Sequence, residues 1–509
     1  MRAFNFPGLF CCVALLPSAV LPATLAAQTI DRAGADALEA QLPAVIDTLL
    51  QSAPEVRYSF EGQVQALPSG DAYSLAIPQA RFDFGGQAIA TVPAFTANVT
   101  PLDNGWNQAQ WDFPQSITVV NPRRPGQEVT ITFTSNDNSM TIAPQYAMAL
   151  QADYGFEDVS VTVKDQRGEL TIATLELTAD TQSSGAGPDS YDSESRFVMR
   201  DFAVDVPAEN VRISLDSFDM GGTTHRQRLD LFAGLQHALD GLDPESETFA
   251  AAFLDVLRVN AGEKWLGAAT FDATVEGVSF RADEGSGTVG LLQMMMEADG
   301  LDQNAAQLAF GFTAQDITSP QAPAQFASIA PTVTNLELVA TDVPLEALSQ
   351  EIYAVLGDAP SEEELFGPKG RRAGVGDPFS GLQNVDPMVF VGLLLNSGAL
   401  VELQSLYLEA PIGYIAAQGV IDPDPQAAFQ AVAELKLDIA GLPEMISFAQ
   451  QMGGDAAQAA AMATALAAMG RDGTDQDGVA IKEFDLEVTA SGQILLNGND
   501  MSAMMGMFQ

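Results

Sequence analysis

Residues 435–448 read LKLDIAGLPEMISF, and residues 336–348 read LELVATDVPLEAL, the same phrase 99 positions earlier. In the first copy Leu336 and Leu338 alternate as a strand with one buried face, Pro344 opens a helix, and Leu345, Leu348, Ile352 and Leu356 recur at helical spacing. In the second, Leu435, Leu437 and Ile439 alternate, Pro443 takes the same place, and Met445, Phe448 and Met452 line the helix. Proline has a preset φ and no amide to leave unbonded at a helix start. The phrase therefore marks a strand leaving its sheet and a helix folding back across it. Two copies predict two similar layers in one lobe, and with irregular intervals elsewhere they do not make a solenoid.

Upstream, from about residue 55 to 220, apolar residues alternate with period two, as in Val129, Ile131 and Phe133, Val159, Val161 and Val163, and Phe202, Val204 and Val206. Turn-forming stretches such as 135–138, 164–168 and TQSSGAGPDSYDS at 181–193 separate them, which predicts an antiparallel meander. The pattern changes near residue 228. Leu231, Leu235, Ala238 and Leu242 fall at helical spacing, and Asp243-Pro244 caps a second helix with Phe249, Phe253 and Val256 inside. Strands return at 270–282 and 304–313, and the chain closes on a hairpin of Phe484, Leu486 and Val488 against Ile494 to Leu496.

These readings predict an α+β fold. Two antiparallel β-rich lobes, each a meander sheet with helices packed over it, are expected at 28–228 and 263–509, with a helical joint at 229–262 and an exposed loop at 358–382. Residues 1–27 read as a secretory signal peptide: Arg2, an apolar stretch broken by Pro17 and Pro22, then small residues before Gln28. Cys11 and Cys12 leave with it, so the mature chain has no thiol for a disulfide, a zinc site or a nucleophile. Export without disulfides predicts a bacterial periplasm, and no later apolar run is long enough to span a bilayer as a helix.

The formal charge of −45 excludes nucleic acid as an expected partner, because phosphates are bound by clustered Lys and Arg. His225 and His237 are the only histidines and lack metal-ligand spacing. No nucleophile elbow, S-x-x-K or P-loop pattern occurs. With 67 acidic residues, a carboxylate pair at any chosen spacing carries no information about acid-base catalysis. The stretch DGTDQDGVAIKE at 472–483 resembles a calcium loop with its acids in the wrong register. Met294 to Met296 and the methionines after Met501 are soft donors that read first as core filler. No cofactor or metal is expected.

The two copies of the phrase, with Leu336, Leu338 and Pro344, and with Leu435, Leu437 and Pro443, together with the ending GQILLNGNDMSAMM, resemble an exported alphaproteobacterial family grouped as domain of unknown function 2125. The resemblance implies a compartment and a β-rich fold, and carries no chemistry.

The expected role is a non-catalytic envelope protein that binds or scaffolds through an apolar groove, taking a lipid or other hydrophobic ligand. The alternative is a structural or assembly factor for another envelope protein; a carboxylate hydrolase and an outer-membrane barrel are further readings. The stretch DPMVFVGLLLNSG, residues 386–398, is apolar all round between its ends, which fits a central core helix wrapped by both layers; the functional reading makes one side of it the groove wall, with Phe390 and Leu394 as the ligand-lining pair.

Overall fold

The computed structural model describes residues 30–49, 56–102, 105–123, 128–135, 138–143, 148–163, 168–187, 189–239, 264–283, 285–303, 305–318, 328–345, 398–424 and 426–501. Among them strand takes 65% and helix 13%, in four α-helices, so the α+β expectation is corrected: this is an antiparallel β fold in which helix is minor. The reason lies in strand length. Strands of 10 to 18 residues between positions 148 and 440 satisfy most of the backbone in ladders, and every registered pair is antiparallel. Of the helical joint expected at 229–262, the described part is one helix, Leu229–Leu239. Residues 240–263, and residues 358–382 and 1–27 where a loop and a signal peptide are expected, lie outside the described residues.

The chain divides into two compact units, residues 1–266 with 280–284, and residues 267–279 with 285–509. In the first, Met148–Val163 is the shared strand of two half-sheets: its earlier half pairs with Asn138–Ala143 and its later half with Glu128–Ser135. The inward residues of both half-sheets form a single core that includes Leu75, Phe82, Val99, Trp111, Ile131, Phe133 and Phe156. The alternating burial of Phe95–Pro101 or Ser116–Val120 is what period-two sequence predicts when one face meets a core and the other meets water. A helix, Arg32–Leu49, adds fully buried Ala35 and Leu38 to this core and is tied to the strand Gln65–Ser69 through Glu39 Oε1, which accepts the Ala66 amide at 2.7 Å.

The second unit is a meander. Gly285–Asp299, Ala306–Gln315, Val333–Val343, Leu400–Ala410, Gly413–Pro423, Ala431–Ala440 and Ala480–Val488 pair each with the next. The two helices Leu442–Met452 and Gly454–Met469 intervene before the last of these.

The repeated phrase has a common backbone event at its centre. Asp342 (φ 54°) and Gly441 (φ 67°) both stand in the left-handed region, each two residues before its proline, and each is followed by a buried aliphatic, Val343 or Leu442. The left-handed residue turns the chain out of the strand, the aliphatic anchors the turn, and proline starts the next segment. At the second copy the space is also closed: a Cβ on Gly441 would lie 2.1 Å from the carbonyl oxygen of Ile412. Gly441→Val is therefore expected to cost about 2 to 4 kcal/mol. Asp342→Gly should stay within about 1 kcal/mol of the parent, since glycine accepts that φ freely. Urea unfolding midpoints of the two variants check the pair.

Candidate functional site

Successive residues of a strand point to opposite sides, so the ladder register sorts the second unit's meander into two faces. On one side lie Met294 and Met296, opposite Phe312 and Phe310; these face Leu336 and Leu338, which face Leu406 and Leu403. The row continues through Ala417 and Gly419 to Leu437 and Leu435, and ends on Phe484 and Leu486. The same ladders put Glu337, Ser405, Lys436, Asp438, Glu483 and Asp485 on the other side. Seven strands at about 4.8 Å spacing make the apolar face about 30 Å wide.

This face is apolar without being buried. Phe310, Phe312, Leu336, Leu338, Leu403, Leu406 and Leu408 are all half-exposed, whereas the first unit's core residues Leu75, Val99 and Ile131 have at most 1% of their surface exposed. It is closed at two places only among the described residues. At the far edge Ile446, Ala467 and Met469 of the two helices pack with Leu437, Phe484 and Leu486, and the buried members there are Leu442, Phe484 and Leu496. At one set of strand ends Leu301, Leu345 and Ala399 close over Leu308, Ala340 and Val401. Between these closures the face presents on the order of several hundred Å² of half-exposed hydrocarbon, the scale at which patches on proteins mark binding surfaces.

The polar side carries an open cleft of about 470 Å³, lined by Ser405, Tyr407, Lys436, Asp438, Arg471, Glu483 and Asp485 among others. In the cleft, burial and then the negative charges of Glu483 and Asp485 push the Asp438 carboxyl up, against the smaller opposing influence of Lys436. Because its folded value is raised, Asp438 favours the fold while protonated and loses that contribution as pH rises through the folded value. Asp438→Asn is accordingly expected to raise the melting temperature at pH 7 and to leave it nearly unchanged below the ordinary carboxylate range, which scanning calorimetry at the two pH values measures.

The residues singled out from sequence are not brought together. Phe390 and Leu394 lie outside the described residues. His225 is exposed, its Nδ1 lying 3.5 Å from Asp192 Oδ1. Met294 and Met296 face the apolar side and Met295 the opposite one, so the three in a row do not converge. In the stretch 472–483, Asp475 is committed to shaping a turn. Its Oδ1 accepts the amides of Asp477 and Val479 at 3.0 and 2.8 Å, and its Oδ2 accepts the Tyr414 hydroxyl at 2.6 Å. That hydroxyl bond, then the Val479 amide, holds the Asp475 carboxyl below the usual range. Arg471 pairs with Asp485, and Lys482 Nζ meets Asp472 at 2.7 Å, so this region resolves into a ladder end. Among the described residues no group of three or more His, Cys, Asp and Glu side chains is arranged to hold a metal ion.

Sequence reasoning missed three of the strands that build the apolar face: Gly285–Asp299, Leu400–Ala410 and Gly413–Pro423. Among the described residues no helix is long and apolar enough to cross a membrane. The chain matches no family model, no curated protein and no solved structure.

Proposed function

We propose that this is a non-catalytic, exported bacterial envelope protein whose second unit binds the acyl chain of an amphiphile on its apolar sheet face. The supporting observation is the face itself: Leu, Phe and Met side chains on six of seven neighbouring strands, with Ala417 and Gly419 on the other, partly exposed between the two closures, with carboxylates confined to the other side and to the strand ends. Covering a half-exposed Leu or Phe with hydrocarbon is favourable by roughly 1 kcal/mol per side chain, so a chain lying across several strands gathers enough to bind without any specific polar contact. The groove first placed at Phe390 and Leu394 is replaced in this proposal by the sheet face. Export rests on reading residues 1–27 as a signal peptide, and the resemblance to the exported alphaproteobacterial family supports the same compartment.

A second envelope protein could seal the same face, because wide half-exposed apolar surfaces also serve assembly. Mass spectrometry of the mature protein purified from its own envelope separates the two. One acyl-bearing species near one per chain is the expected result. A stoichiometric protein partner with no bound lipid would replace the first reading by the second.

A further inference from the structure

Resting on that reading, the distribution of charge around the face says which head group goes with the chain. Between Arg281 and Lys369, and again between Arg372 and Lys436, the sequence has no Lys, Arg or His. The described parts of those intervals include the five strands from Gly285 to Pro423 that carry the open part of the face. Their ends are acidic: exposed Asp342 stands at one set of ends and exposed Asp316 at the other, and Asp299, Asp422 and Glu409 stand at the same ends with the ladder register turning them to the polar side. The described cations of this unit, Lys436, Arg471 and Lys482, all stand on the last strands, beside the helix pair. There Arg471 is paired with Asp485, Lys482 is paired with Asp472, and Lys436 stands opposite Asp485 in the ladder.

An acyl chain lying on the open face therefore delivers its head group to strand ends that carry carboxylates and, among the described residues, no cation to receive a phosphate or carboxylate. We infer that the amphiphile bound by the apolar face carries an ammonium in its head group, as a zwitterion or a cation, and that net-anionic amphiphiles are disfavoured. An ammonium meets opposite charge at either rim, while a net-anionic head meets repulsion that salt screens.

The test uses two lysophospholipids with the same acyl chain and the same phosphodiester, one with a choline head and one with a glycerol head, titrated into the mature protein at low ionic strength. Lysophosphatidylcholine is expected to bind at least about tenfold more tightly, with the gap narrowing in roughly 0.5 M salt. Equal affinity, or tighter binding of lysophosphatidylglycerol, overturns the inference and leaves the apolar-face reading standing. If neither binds, both fall together.

Discussion

Phe156→Ala is expected to destabilise the first unit by about 3 to 5 kcal/mol. Its ring sits 5.1 Å from Phe133 in an edge-to-face arrangement and 5.8 Å from Phe113, and only 5% of its surface is exposed. Phe156 also stands on the strand shared by the two half-sheets, where the closely packed rings leave little room for collapse into the gap. The matching change on the second unit, Phe312→Ala, should cost less, about 1 to 2 kcal/mol, because that side chain is only partly buried. Urea unfolding of the two variants compares a closed core with an open face directly. Equal losses would mean that the face is an ordinary core.

The second large effect is on binding. Leu338 and Leu406 lie on the apolar face, Leu338 opposite Phe310 and Leu406 opposite Leu336, and both are half-exposed. Replacing both with Glu puts two charges where the account places hydrocarbon, and each carboxylate retains access to water. The double variant is expected to lose acyl-chain binding by at least about a hundredfold while its melting temperature falls by only a few degrees. Placing Glu at Thr313 and Ser405, on the opposite side of the same sheet, should leave binding within about twofold of the parent. Isothermal titration with a matched lysophospholipid, alongside thermal melts, reads both arms.

Much of the first unit was legible because its short strands alternate cleanly. Val129, Ile131 and Phe133 all point into one core, as their spacing requires. The final hairpin was legible for the same reason: Leu486 pairs with Leu496 and Val488 with Ile494. The second unit was harder to read because bulges and small residues broke its alternation. Between Leu403 and Leu406 the register shifts, so Val401, Leu403, Leu406 and Leu408 no longer keep a period of two although all four share a face. In Gly413–Pro423 the face is carried partly by Ala417 and Gly419, and a Cβ on Gly419 would lie 2.4 Å from the Glu434 carbonyl oxygen. Close backbone approach therefore erased the apolar signal there. In LLQMMM, at 291–296, methionines on both faces concealed the strand.

The repeated phrase was read correctly as a strand ending on an aliphatic–Pro pair. Its left-handed residue was not, because Asp342 and Gly441 share no side-chain chemistry and only the backbone shows what they have in common. The apolar face, assembled from positions almost 200 residues apart in the chain, becomes visible only once the ladder register is known.

The claim that this face holds an acyl chain is tested most directly by photolabelling. A lysophosphatidylcholine carrying a diazirine in its acyl chain is irradiated with the mature protein, and the modified residues are located by peptide mass spectrometry. The account predicts labels on Phe310, Phe312, Leu336, Leu338 and Leu406, suppressed by excess unlabelled lipid, and none on their opposite-side neighbours Gly311, Thr313, Glu337 and Ser405. Competed labels on the polar side, or no competed labels on the apolar one, would contradict it.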